Sequence, residues 1–318
     1  MHIHQRLQHE DAAVRRVAVL DLPYSDEEDE VAPWLVKALA DPDALVRTEA
    51  AKALEGFEDD EVLAALVPLL KDADAGVREV VATTLAELKQ PASAGHLLPY
   101  LEDADPQVKA AALAAVKPLR VAEAMAPALA ALHDADAAVR RAAVGVLGYL
   151  KQPQALGELA RLMAHDPDAD VRRAAVGAIG FASETSDISV HPALARALRD
   201  EVWQVREEAA TTFGKLRSAL GVPDLVAAMD DAYWQVRVKA ARSLGRLKAR
   251  AAVPALGAAL QHPMSNLRKE VVIALGEIGD PRGITLLEQA LQDSDPDVRK
   301  LAKLALTAIQ LNGGTVAA

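Results

Sequence analysis

Apolar residues along the chain recur at spacings of three and four, most clearly from Asp134 to Leu150, DADAAVRRAAVGVLGYL. There Val139, Ala142, Ala143, Val146, Leu147 and Leu150 fall on one face of a 3.6-residue turn, and Asp136 stands where an N-cap would close the first turn. The pattern predicts a capped amphipathic helix, and altered copies of it return from one end of the chain to the other.

Aligning the Val-Arg pair of this stretch places a basic residue at Arg15, Arg47, Arg78, Lys109, Arg140, Arg172, Arg206, Arg237, Arg268 and Arg299. The intervals are 32, 31, 31, 31, 32, 34, 31, 31 and 31 residues, long enough for two short helices and two turns. Asp43, Asp74, Asp105, Asp136, Asp168 and Asp295 hold the cap position, with Pro106 and Pro296 at the first helical position, where a missing N–H costs nothing. This is the second helix of each unit. Gly148, Gly180, Gly214, Gly245 and Gly276 recur near its end, where they allow a neighbouring helix close or else terminate the helix.

The first helix of each unit occupies the intervening segments, such as Ala155 to Asp166 and Gly283 to Asp295. Leu156, Leu159 and Leu162 have the spacing of a one-sided stripe, and Pro33, Pro68, Pro99, Pro127, Pro192, Pro223 and Pro254 fall early in these segments, where proline is tolerated or bends the helix.

Composition narrows this picture. Apolar residues make up 51% of the chain but aromatic ones only 3%, so the core is Ala, Leu and Val, small enough for close helix packing. No window reaches the roughly 18 to 20 apolar residues of a membrane span, and Met1 to Gln8 lacks the apolar core of a signal peptide. The absence of Cys removes disulfides and thiolate chemistry and makes the cytoplasm the default compartment. The net charge of −11 is uneven: residues 1–159 carry 15 Lys and Arg against 27 Asp and Glu, residues 160–318 carry 20 against 19. Such an acidic half argues against nucleic acid as the main ligand.

The unit resembles the HEAT repeat, and more closely the short HEAT-like repeats of the phycobilisome lyase type. The resemblance implies an all-α, right-handed α-solenoid of about ten helix pairs: one body over residues 1–318, with a cap at 1–10, repeats over about 11–310 and a disordered tail at 311–318. It also implies an Asp–Arg ladder, since the family places an Asp six residues before an Arg. Asp41/Arg47, Asp72/Arg78, Asp134/Arg140, Asp166/Arg172, Asp200/Arg206, Asp231/Arg237 and Asp293/Arg299 fit, with Lys109 beside Asp103; His9 and His262 interrupt the pattern.

Functional information belongs where the repeat departs from its packing pattern. Four departures stand out. The acidic run Ser25 to Glu30 reads as a solvated loop, with a basic partner or a cation as the alternative. The insertion Phe181 to His191 adds a loop or kinks the stacking. At the cap position three successive copies carry Val202, Tyr233 and Met264, with Trp203 and Trp234 following the first two. These indoles either stack on one another across adjacent turns or meet a partner. The fourth departure lies five and nine residues after the register cation, positions the family exposes on its concave face. Gly145 with Tyr149 and Gly177 with Phe181 suggest an apolar patch with room above it. Thr211 with Lys215 and Arg242 with Arg246, joined by Lys239 and Arg250, suggest a basic stripe. Such a face suits an acidic, partly apolar peptide, or is an ordinary solvated surface.

For chemistry the sequence offers little. It lacks a phosphate-binding Gly-rich loop, an HExxH zinc motif and a GxSxG elbow. The di-iron pattern of the deoxyhypusine hydroxylase family calls for His-Glu pairs, but Thr48-Glu49, Glu207-Glu208 and Lys269-Glu270 supply the acid without the imidazole. His133, His165 and His262 read as turn residues, and His2 and His4 as part of a frayed end. The resulting expectation is a non-catalytic, cofactor-free scaffold, a regulatory or assembly factor, binding another protein or peptide through Tyr149, Phe181, Trp203, Tyr233, Trp234, Lys215, Lys239, Arg242 and Arg246. The phycobilisome-lyase resemblance adds an alternative, an accessory factor that handles a tetrapyrrole.

Overall fold

The computed structural model describes residues 2–24, 31–180 and 187–314, the side chains of 187–189 and 311–314 excepted. The acidic run 25–30 and the first six residues of the insertion, Phe181 among them, therefore lie outside the described residues. All regular elements among the described residues are helical, as the periodicity predicts. The chain divides into two compact units, Met1–Leu150 and Lys151–Ala318.

The first unit contains α1 (Ile3–Leu7), α2 (Ala12–Asp21), α3 (Val31–Ala38), α4 (Ala44–Ala53), α5 (Asp60–Leu66), α6 (Ala75–Ala86), α7 (Ala94–Leu97), α8 (Pro106–Val116), α9 (Met125–Ala131) and α10 (Ala137–Leu150). The second contains α11 (Leu156–His165), α12 (Ala169–Ile179), α13 (Asp187–Ala197), α14 (Trp203–Leu216), α15 (Val222–Ala228), α16 (Trp234–Arg246), α17 (Val253–Ala259), α18 (Ser265–Ile278), α19 (Gly283–Ala290) and α20 (Pro296–Gly314). Each even-numbered helix carries one register cation. Within the first unit α2, α4, α6, α8 and α10 pack in succession, and within the second α12, α14, α16, α18 and α20 do the same. Each unit is thus an α-solenoid whose core is threaded by apolar side chains, such as Val46, Ala50 and Ala51 on α4 and Val236, Ala240 and Leu244 on α16, all buried.

Two ends depart from expectation. The segment read as frayed forms α1, which packs on α2 and sets the His4 ring 4.6 Å from Trp34. At the other end α20 continues through Gly314, so the first four residues of the predicted tail are helical.

The predicted caps form. Asp43 Oδ1 accepts from the backbone N–H groups of Leu45 (2.9 Å) and Val46 (3.2 Å), and Asp74 does the same for Gly76 and Val77. Each such cap satisfies orphan donors of the first turn. The glycines near the helix ends serve close approach. A Cβ on Gly214 would stand 2.9 Å from Ser243 Cβ, and one on Gly245 would stand 2.9 Å from Ala274 Cα. The left-handed turn that stops the helix comes three residues later, at Arg217 (φ 52°), Lys248 (φ 49°) and Gly279 (φ 67°). Two of these three are cations, which suit the negative end of the helix dipole.

The ladder joins consecutive copies. Arg47 Nη1 donates to the carbonyls of Asp41 and Pro42 in its own turn, while its Nε and Nη2 grip the Asp72 carboxylate of the next turn at 2.8 and 2.7 Å. The same fork links Arg15 to Asp41, Arg172 to Asp200, Arg206 to Asp231 and Arg268 to Asp293. Lys109 substitutes with a single 2.6 Å contact to Asp134. One exception is Asp103, which is taken by Lys71 at 2.5 Å. Each receiving Asp also accepts the N–H two residues on, as Asp231 does from Tyr233 at 2.8 Å. A turn is therefore shaped by its own Asp and tied by the preceding arginine, which is why both residue types repeat together.

Candidate interaction surface

The three turns without a capping acid lie side by side in the second unit. Val202, Tyr233 and Met264 hold the N-cap positions of α14, α16 and α18, and none makes a side-chain cap bond. Trp203 stacks on Tyr233, with ring centroids 5.5 Å apart and planes 12° apart. The expected contact between adjacent turns thus exists, but the indole of one turn meets the phenol of the next instead of Trp234. The Arg206 guanidinium lies 5.6 Å from the Tyr233 centroid, so the ring meets both an indole and a cation. Tyr233 remains 45% exposed and Met264 38%, while Trp203 and Trp234 are half-buried.

The electrostatics of these turns follow from the ladder. Burial raises the Asp231 carboxyl, but the Arg206 fork and the Tyr233 N–H outweigh it and hold the group below the usual carboxylate range. The Arg206 guanidinium is raised in turn, mainly by its hydrogen bonds to Asp231.

The face expected to be basic is instead evenly matched. Arg242 forks onto Glu270 at 2.9 and 2.6 Å. Lys215 lies 3.2 Å from Glu208, and Lys239 lies 3.7 Å from Glu207. Arg246 is exposed at the end of α16, where its charge and that of Arg242 act on Glu277. Arg250 falls outside α16, in the turn that follows. Alternation of acids and bases between neighbouring helices replaces the predicted stripe. The same pairing occupies the glutamates of the incomplete di-iron pattern: Glu270 receives Arg242, and Glu49 receives Arg16 at 2.6 Å.

Tyr149 is 40% exposed on α10, but its surroundings are cationic, with Lys117 Nζ 5.4 Å and Arg120 Cζ 5.5 Å from the ring centroid. The room expected above Gly145 is filled by the Lys117 stem, whose Cδ would meet a Cβ there at 3.2 Å. Above Gly177, Glu208 occupies the corresponding space. Among the described residues the space above these two glycines is thus taken by charged side chains, while Phe181 lies outside them.

Sequence reasoning passed over Trp34. It sits between His4 and Lys37, whose Nζ is 5.0 Å from its ring, beside a cavity of about 200 Å³ also lined by Leu7 and Arg15. Its isolation from the repeat pattern was the available signal. Among the described residues no helix is long and apolar enough to cross a membrane.

Comparison with known proteins fits this architecture. The family model for HEAT repeats matches residues 2–86, 32–117, 94–180, 125–214, 159–235 and 222–307. No curated protein matches the sequence. Among solved structures, an engineered protein is 22% identical with a TM-score of 0.54, over 97% of this chain and 98% of that one. Importin beta is 15% identical with a TM-score of 0.61, over 98% of this chain but 50% of its own. The Escherichia coli protein YibA is 19% identical with a TM-score of 0.55, over 95% and 99%. With ten register cations on ten second helices, a ladder that ties successive turns and family matches over nearly its whole length, the chain belongs to the HEAT-repeat family.

Proposed function

We propose that this chain is a non-catalytic platform that binds another protein, and that the contact centres on the turns bearing Trp203, Tyr233, Trp234 and Met264. One observation carries this reading: three successive turns give up the capping acid that other copies use and present aromatic and apolar side chains in its place. Each lost cap costs about 1 kcal/mol, and exposed apolar groups grouped on one edge favour association. The adjoining face with Lys215, Lys239, Arg242 and Arg246 supplies matched charges, which favour a partner whose own charges alternate over a uniformly acidic one. HEAT-repeat solenoids commonly act in this way, and the glutamates nearest to a metal pattern are engaged by arginines.

The test pairs Trp203→Ala with Trp234→Ala. Far-UV circular dichroism is expected to change little, because both residues are half-buried at helix starts. Quantitative pull-down from extract of the source cell is expected to lose the bound protein. Retention of the same protein at wild-type yield overturns the reading.

A further inference from the structure

One rung of the ladder lacks its receiving carboxylate. In the second unit Arg172, Arg206 and Arg268 each fork onto an aspartate of the following turn, Asp200, Asp231 and Asp293. Arg237 follows the same register, but the residue in the receiving position is His262. The imidazole takes over only half of the aspartate's work. Its Nδ1 accepts the N–H of Met264 at 3.1 Å, as Asp231 accepts that of Tyr233. With the Nδ1 lone pair committed, the neutral ring carries its proton on Nε2 and offers no acceptor to a guanidinium. Burial, and then the charges of Arg237 and Arg268, lower the His262 pKa and so favour this neutral form.

Arg237 accordingly makes no fork onto this turn. Its Nε donates to the Asp231 carbonyl, and among the described residues neither Nη1 nor Nη2 has an acceptor. The vacancy differs from that at Arg78, whose receiving Asp103 is present and held by Lys71, and from that at Arg299, which lies on the last helix. Here a cation and an imidazole N–H, both donors, stand where every other receiving turn from Asp41 to Asp293 carries an aspartate. This unfilled position, the slot, lies between the turn of Tyr233 and the turn of Met264, both of which carry exposed large apolar side chains.

We propose that this slot receives the side-chain carboxylate of an aspartate or glutamate from a bound protein segment, which completes the Arg237 rung in trans while a neighbouring apolar side chain settles on Tyr233 and Met264. The inference rests on the platform reading above and names the partner's recognition element. A carboxylate fits the slot because the planar fork of arginine matches it with two parallel hydrogen bonds, the geometry used by the other rungs.

The experiment uses random twelve-residue peptides, C-terminally amidated after selection, panned on the full chain and measured by fluorescence anisotropy. The expected binders carry an Asp or Glu beside an aromatic or aliphatic residue. Replacing that acid by its amide, or introducing Arg237→Gln, weakens binding by about tenfold or more, the scale set by losing a desolvated charge-assisted pair. The decisive variant is His262→Asp, which supplies the carboxylate from within the chain. It is expected to raise the thermal midpoint and abolish peptide binding together, so loss of binding cannot reflect unfolding. Binders without an acid, or acid-bearing binders that hold the His262→Asp variant as tightly as wild type, overturn the slot. If those binders are still lost in Trp203→Ala with Trp234→Ala, the platform reading stands alone. If no peptide is enriched, both fall.

Discussion

Removing one end of a ladder rung gives a sharp test of what holds the repeats together. Arg206 makes four hydrogen bonds: Nε and Nη2 to the Asp231 carboxylate at 2.6 and 2.9 Å, and Nη1 to the carbonyls of Asp200 and Glu201 at 2.7 and 3.2 Å. The Arg206 and Asp231 side chains are only 12% and 9% accessible. Arg206→Met keeps most of the aliphatic stem but strips every donor, which leaves Asp231 with the Tyr233 N–H and no forked cation. Breaking a buried pair from one side costs about 3–5 kcal/mol, and the lower end applies because the turn lies near water. Asp231→Asn alone is expected to cost about 2 kcal/mol, since the amide still accepts the Tyr233 N–H but cannot satisfy the fork. The double variant recovers part of the loss, with a coupling of about 1.5–2 kcal/mol, inside the range for residues in direct contact. Trp34→Phe in the background leaves Trp203 and Trp234 as the only indoles, so urea unfolding followed by emission reports the second unit. A parallel trace by circular dichroism detects uncoupled melting along the array. A coupling below about 0.5 kcal/mol refutes the reasoning and reduces the ladder to ordinary surface ion pairs.

The remaining predictions address separate links. Gly214→Ala sets a methyl 2.9 Å from Ser243 Cβ, so overpacking of about 1–3 kcal/mol outweighs the gain of about 1 kcal/mol in helix propensity; a denaturant midpoint equal to or above wild type contradicts the close-approach account. Asp41, Asp72, Asp103, Asp134, Asp200, Asp231 and Asp293 all have pKa values lowered by folding. Their contribution is complete above the unfolded carboxylate pKa near ~3.9 and is lost as pH falls through the folded values. Helix content is therefore expected to persist to pH ~4 and collapse below it, and an acid midpoint above pH ~5 refutes that sign. Arg242→Glu with Arg246→Glu places two new acids beside Glu270 and Glu277; it is expected to lower the thermal midpoint at low salt, with partial recovery at ~0.5 M salt, and an unchanged midpoint contradicts the paired-face geometry.

The second helices were legible because their signals are local: an Asp cap, a cation four residues on and an apolar stripe each act within a dozen residues, and all ten helices lie where the register puts them. Relations between copies were less legible. The family pattern sets Asp41 six residues before Arg47 and implies a ladder between stacked copies, but not which atoms make it: the Asp41 carboxylate goes to Arg15 and Arg47 reaches Asp72, because the arginine reads its own turn through carbonyls and the next through its fork. The basic stripe failed for the same reason. Lys215, Lys239, Arg242 and Arg246 do fall on second helices, but Glu207, Glu208, Glu270 and Glu277 come from the same helix or from neighbours 28 to 35 residues away. One period of sequence carries no rotation between units, so it cannot say which charges meet.

That limit also explains why His262 looked unimportant and Trp203 central. In isolation a His-Pro turn and a missing Asp are defects of a motif, and an exposed indole is an invitation to bind. In the assembled stack one ring contact of Trp203 is made with Tyr233 inside the chain, and the substitution at His262 has consequences in the preceding copy, where Arg237 is left with unmet donors. A repeat that stabilises itself by handing one carboxylate to each preceding arginine can expose a specific binding group by changing a single residue, without altering any helix. In a solenoid of this kind the residues most informative about partners are those whose absence leaves a neighbour unsatisfied, and they are found by following each hydrogen bond to the next copy.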